Sequence, residues 1–209
     1  YDDAIAVFGR NSTTGELTFV QAVKDGQSGV DGLDYATCVT LSPDGNFLYA
    51  SGGFDDALAV FSRNPTTGAL SFLQVINDGV GGVDGLDYVR SVRVTPDGSH
   101  LYTASWNDNA VTAFSRNAST GELTFLDVYK DGVGGVDGLD TAQWVTVSPD
   151  GTHVYAVGFQ DDAVAVFERN PTTGLLTWKQ IVAGGDGAAS VVVSPDGEHV
   201  YVSGLTSDT

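Results

Sequence analysis

Positive charge is scarce in this chain: nine lysines and arginines stand against 27 aspartates and glutamates, a formal net charge of −18 over 209 residues. A nucleic acid would approach such a surface against its own charge, so polynucleotide partners are excluded and cations are favoured. Methionine is absent and the only cysteine is Cys38. That excludes an internal disulfide and a thiolate metal cluster, and leaves Cys38 as a small core residue. No apolar run reaches the roughly 20 residues that a membrane-crossing helix needs. Nor does any stretch of about ten residues carry a 3.6-residue apolar stripe, which excludes helical solenoids. The chain starts at Tyr1, without a methionine and inside a repeat, and is expected to be a processed product or a piece of something longer.

What the chain has in place of these features is repetition. The string Ser/Thr-Pro-Asp-Gly opens at Ser42, Thr95, Ser148 and Ser194, at steps of 53, 53 and 46 residues, a period that belongs to propellers, solenoids or arrays. In one unit, Ala57 to Phe61 and Leu70 to Ile76 read as strands flanking the turn residues Arg63 to Gly68. Ser91 to Val94 and His100 to Ser105 flank the turn Pro96-Asp97-Gly98 in the same way. Between these pairs lies a glycine- and aspartate-rich loop, Asn77 to Asp87. Four short strands per unit without a helix predict an all-β propeller blade, and the regular hairpin turns argue against a parallel β-helix.

The expected architecture is a single domain over residues 1–209, a β-propeller of four blades of about 53 residues. The repeats fall near 1–53, 54–106, 107–159 and 160–205, followed by a closing segment, 206–209. Tyr1 to Phe8 matches a third strand and His199 to Ser203 a second strand, so the two ends are expected to pair and close the ring. An arc of a larger propeller, or two arcs joined as an oligomer, is the alternative.

The strings SPDG-x-x-x-Y at Ser42 to Tyr49, DDA-x-AVF at Asp55 to Phe61 and RNPTTG-x-L at Arg63 to Leu70 resemble the lactonase-like seven-bladed propeller family, to which the 6-phosphogluconolactonase-like proteins belong. The resemblance covers essentially the whole chain. It implies about seven blades, and it implies lactone hydrolysis as an activity.

Strand order decides which loops share a face. With up-and-down blades, the loops after the second and fourth strands gather 18 of the 27 acidic residues on one face, while Arg10, Arg63, Arg116 and Arg169 and the three histidines lie at the other. The segment GVDGLD recurs on the acidic face, and its aspartates Asp31, Asp34, Asp84, Asp87, Asp137 and Asp140 are candidate ligands for calcium, the hard cation best suited to flexible glycine-rich loops. The competing reading is that aspartate and glycine serve there only as turn formers. Arg90, Arg93, Trp106 and Trp144 differ from their counterparts in the other repeats, and are candidate ligand-binding residues near the axis. No nucleophile elbow, Cys-His pair or phosphate-binding glycine-lysine loop is present. The reading therefore leans away from catalysis, towards a secreted, periplasmic or cell-surface module that binds a protein or carbohydrate. A lactonase-like hydrolase is the alternative.

Overall fold

The computed structural model describes residues 2–205. Sixteen strands make up the described fold, without a helix among the described residues. Three complete blades follow one another. The first holds β3 (Ala36–Leu41), β4 (Phe47–Gly52), β5 (Ala57–Arg63) and β6 (Leu70–Asn77). The second holds β7 (Val89–Val94), β8 (His100–Ser105), β9 (Ala110–Arg116) and β10 (Leu123–Lys130). The third holds β11 (Ala142–Val147), β12 (His153–Gly158), β13 (Ala163–Arg169) and β14 (Leu176–Ala183). Before them stands a two-stranded sheet, β1 (Ala4–Arg10) with β2 (Leu17–Lys24), and after them another, β15 (Ala188–Val193) with β16 (Val200–Gly204). Each blade is an antiparallel meander, and its first strand carries a bulge at the second residue, as between Ala36 and Cys38 or Val89 and Ser91, which adds local twist.

This corrects the expected four-bladed closed ring. The N-terminal pair corresponds to the outer half of a blade and the C-terminal pair to the inner half, but the two are separate sheets, not one. The described fold is an arc. β16 pairs with β15 alone and β1 with β2 alone, and among the described residues no hydrogen-bonded register joins the two pairs. The expected closing segment, 206–209, lies outside the described residues.

The wedges explain the repeated strings. Tyr49 and Tyr102 of SPDG-x-x-x-Y and its counterpart are fully buried, and their hydroxyls donate to the carbonyls of Gly121 and Gly174 in the next blade's outer hairpin, at 2.9 and 2.7 Å. A buried phenol needs such a partner. The arginine of RNPTTG, and of its counterpart RNASTG in the second blade, returns the tie. Arg116 donates from Nε to Tyr49 Oη at 2.6 Å and from a terminal nitrogen to Gly98 O at 2.9 Å, and pairs with Asp44 of the preceding blade. Arg169 donates to Gly151 O, to Asp97 at 2.9 Å and to His100 Nδ1 at 2.6 Å. Hydrophobic cores fill the spaces between sheets, one around Tyr49, Leu86 and Phe114, the next around Tyr102, Leu139 and Phe167.

Candidate functional site

The loops after the second and fourth strands of each blade meet on one face, and the aspartates there have an observed duty that the sequence left open. Asp25, Asp78 and Asp131 accept the amides of Leu33, Leu86 and Leu139 at 2.9 to 3.0 Å. Asp55, Asp108 and Asp161 accept those of Asp34, Asp87 and Asp140. Asp3, Asp56 and Asn109 reach across to the following blade and accept the amides of Tyr35, Tyr88 and Thr141. Three carboxylates or amides per blade thus bind the loop to its surroundings through backbone hydrogen bonds, which is what turn chemistry requires.

Inside GVDGLD the leucines Leu33, Leu86 and Leu139 are completely buried. The glycine before Leu86 sits at φ +95°, where a Cβ would meet Thr112 Oγ1 at 2.3 Å and Val128 Cγ2 at 2.5 Å. The motif is therefore an apolar anchor with a glycine that lets backbone lie against the neighbouring strand.

Of the six aspartates expected to act as cation ligands, Asp31, Asp84 and Asp137 each join a three-carboxylate group: with Asp25 and Asp55, with Asp78 and Asp108, and with Asp131 and Asp161. Asp34, Asp87 and Asp140 are not brought into these groups. In the middle group the Lys130 ammonium lies 2.8 Å from both Asp84 and Asp108, so that group carries its own cation. At the corresponding strand ends stand Asn77 and Ala183. Asp55 and Asp161 are pushed above the ordinary carboxylate range, first by burial and then by the neighbouring carboxylates, against the pull of the amides they accept.

The first strands β3, β7, β11 and β15 lie side by side around the axis, and the four residues singled out as breaks in the repeat fall into two arginine–tryptophan pairs. Arg93 lies 4.6 Å from the Trp144 ring centre and donates to Cys38 Sγ and to Val92 O. It ties β3, β7 and β11 together. Arg90 lies 5.1 Å from the Trp106 ring centre and 5.8 Å from that of Tyr88, at the mouth.

Around Arg90 the structure assembles a shelf of rings that repeat comparison does not reveal. Tyr35 stacks on Phe54 at 4.5 Å, both touch Tyr88 at 5.6 Å, Tyr88 meets Trp106 at 6.3 Å, and Trp106 stacks on Phe159 at 5.9 Å. Tyr35 and Tyr88 are held at φ +56° and +54°, a left-handed conformation unusual for a bulky residue. The amides accepted by Asp3 and Asp56 hold them there, and their carbonyls in turn accept the amides of Gly53 and Trp106. Burial raises the Tyr88 phenol, as does its contact with Tyr35, while Arg90 opposes the shift. The available signal was a tyrosine directly after GLD in two copies, Tyr35 and Tyr88, which read as blade-building residues; Phe159 shares its repeat position with Trp106, and Phe54 occurs in one copy, opposite Asn107 and Gln160.

On the opposite face, burial and then the Arg169 charge push His100 below its ordinary 6.5, which fits an imidazole accepting from a guanidinium. Burial alone would raise Asp97, but the hydrogen bonds from Thr95, Ser99 and Arg169 outweigh it and hold the carboxyl well below 3.8. Both folded values are depressed, so the unfolded chain binds more protons in each window. Stability is expected to be complete above about pH 6.5, to fall as His100 is forced to charge below it, and to fall again below about pH 4. Urea midpoints measured from pH 8 to 3 check this. A His100→Gln variant whose midpoint keeps the same slope between pH 7 and 5 would remove the histidine from the account.

A family model described as "Lactonase, 7-bladed beta-propeller" matches residues 1–137. A 6-phosphogluconolactonase of Formosa agariphila is 34% identical over 90 residues, which is 42% of this chain and 24% of that protein. An Arthroderma benhamiae protein named "Probable 6-phosphogluconolactonase" is 29% identical over 115 residues, 52% of this chain and 26% of that protein. A Bacteroides uniformis crystal structure assigned to a 6-phosphogluconolactonase superposes with TM-score 0.79 at 21% identity, over 97% of this chain and 58% of that one. At that identity the last shows the fold. The matches with the two curated relatives thus span about a quarter of their length.

These relatives correct the expected placement outside the cell. They are named as 6-phosphogluconolactonases and not as secreted or surface proteins. An acidic face aids solubility in any compartment and carries no address.

Proposed function

The chain belongs to the lactonase family of seven-bladed β-propellers, and from that membership we propose that its acidic face takes part in hydrolysing a sugar lactone. The observation that carries this reading is Arg90 set among partly exposed aromatic rings at the mouth of the inner strands. In lactone hydrolysis water adds to the carbonyl carbon, the ring C–O bond breaks, and the departing oxygen takes up a proton to give the open hydroxy acid. The rings offer a flat surface to the sugar. Arg90 offers positive charge where the carbonyl oxygen becomes negative. General-base work falls to a carboxylate, since the described histidines lie on the other face. Burial and the charges of Asp87, Asp78 and Asp108 push Asp56 upward despite its bond from the Tyr88 amide, the direction such a base needs.

The scaffold reading drawn first from the sequence has less support, because its calcium-stiffened face is already stitched by backbone hydrogen bonds. Glucono-1,5-lactone hydrolysis followed in a pH-stat tests the proposal. Arg90→Ala is expected to lower kcat/KM about 100-fold with an unchanged urea midpoint. Absence of hydrolysis by the unaltered chain, or an unchanged rate in the variant, would overturn it.

A further inference from the structure

We propose that the aromatic shelf takes an uncharged sugar-lactone ring and disfavours its phosphorylated form, an inference that rests on the lactonase reading and narrows its substrate class. Five rings from three successive blades form one continuous surface, from Phe54 through Tyr35, Tyr88 and Trp106 to Phe159. Phe54, at one end, is 54% exposed. Such a surface suits the apolar C–H face of a sugar ring.

A phosphate monoester brings a charge of about −1.5 to −2 and calls for several arginines, lysines or converging amides. Among the described residues Arg90 is the only cation on the shelf, and it lies against Tyr88 and Trp106. Lys130 is held between Asp84 and Asp108, and Arg93 between Cys38 and Trp144. The loops that rim the shelf carry Asp34, Asp55, Asp56, Asp87, Asp140 and Asp161. Each of these carboxylates repels a second anion, most strongly at low salt. The backbone amides nearby are not available either, since the aspartates accept them.

The test is binding, measured apart from turnover: quenching of tryptophan fluorescence and titration calorimetry with glucono-1,5-lactone and with its 6-phosphate, each at 20 and 300 mM salt. The neutral lactone is expected to bind at least about tenfold more tightly at low salt, the gap narrowing as salt rises. Phe54→Ala, at a position 54% exposed, and Trp106→Ala are each expected to weaken the neutral ligand about tenfold, with the urea midpoint of each variant measured alongside. Equal or tighter binding of the phosphorylated lactone at low salt overturns the proposal, as does binding indifferent to both variants. Neutral-ring binding without hydrolysis would leave this inference standing and remove the catalytic one.

Discussion

Replacing Arg169 by methionine is expected to cost about 3 kcal/mol of folding stability, measured by urea unfolding, and to lower the melting temperature by roughly 6 to 12 °C. The side chain is 1% exposed and serves the Gly151 carbonyl, Asp97 and His100 at once. Methionine fills much of the volume, yet two buried acceptors lose their donor. Asp97 is nearly half exposed, so water takes over part of its charge and the loss stays below that of a fully buried pair. The repeat supplies the controls. Arg116 is equally buried and tied to Asp44, and its replacement should cost a similar amount. Arg10 occupies the same place in the N-terminal half-blade and is exposed, so Arg10→Met should change stability by less than about 0.5 kcal/mol. Equal losses at Arg10 and Arg169 would contradict the view that these arginines act between blades.

Leu86→Ala is expected to cost about 2 to 5 kcal/mol, because the side chain is fully buried in the core shared by the first and second blades. The same substitution should loosen Tyr88, two residues on, and with it the Trp106 environment, read as a shift in tryptophan emission before global unfolding. Asp84→Asn, two residues earlier, removes an exposed partner of Lys130 and should cost no more than about 1 kcal/mol. The contrast decides what GVDGLD is for. An anchor makes leucine the costly position and aspartate the cheap one; the reverse order would show that the carboxylates carry the loop.

Much of the blade was legible because its determinants are local. Pro-Asp-Gly and Asn-Pro-Thr-Thr-Gly are turn chemistry, and the apolar runs between them admit only strands. The strand order, and hence the gathering of aspartates on one face, followed from hairpin connections alone. Arg90, Arg93, Trp106 and Trp144 stood out because they break the repeat. Tyr35 and Tyr88 did not, since an aromatic recurring in two copies looks like a packing residue, and the part played by Phe54 and Phe159 shows only where their rings touch rings of a neighbouring blade.

The aspartates posed a different difficulty. A carboxylate in a glycine-rich loop has the same composition whether it accepts an amide from its own loop, reaches into the next blade or holds an ion. Asp31 and Asp34 lie three apart in sequence, yet only Asp31 points into a carboxylate group. Spacing along a chain says little about direction where glycines reset the backbone.

By itself, the sequence determined the four-stranded meander, the turns, the polarity of the two faces and the family to which they belong, all of which depend on residues within one repeat. Only the tertiary structure decided that the described strands form an open arc, that Arg116 and Arg169 of the hairpin face lock neighbouring blades, and that five rings from three blades join into one surface with Arg90 against two of them. Those features depend on the angle between blades, which buried side chains from two or more repeats set together, and no single repeat contains it.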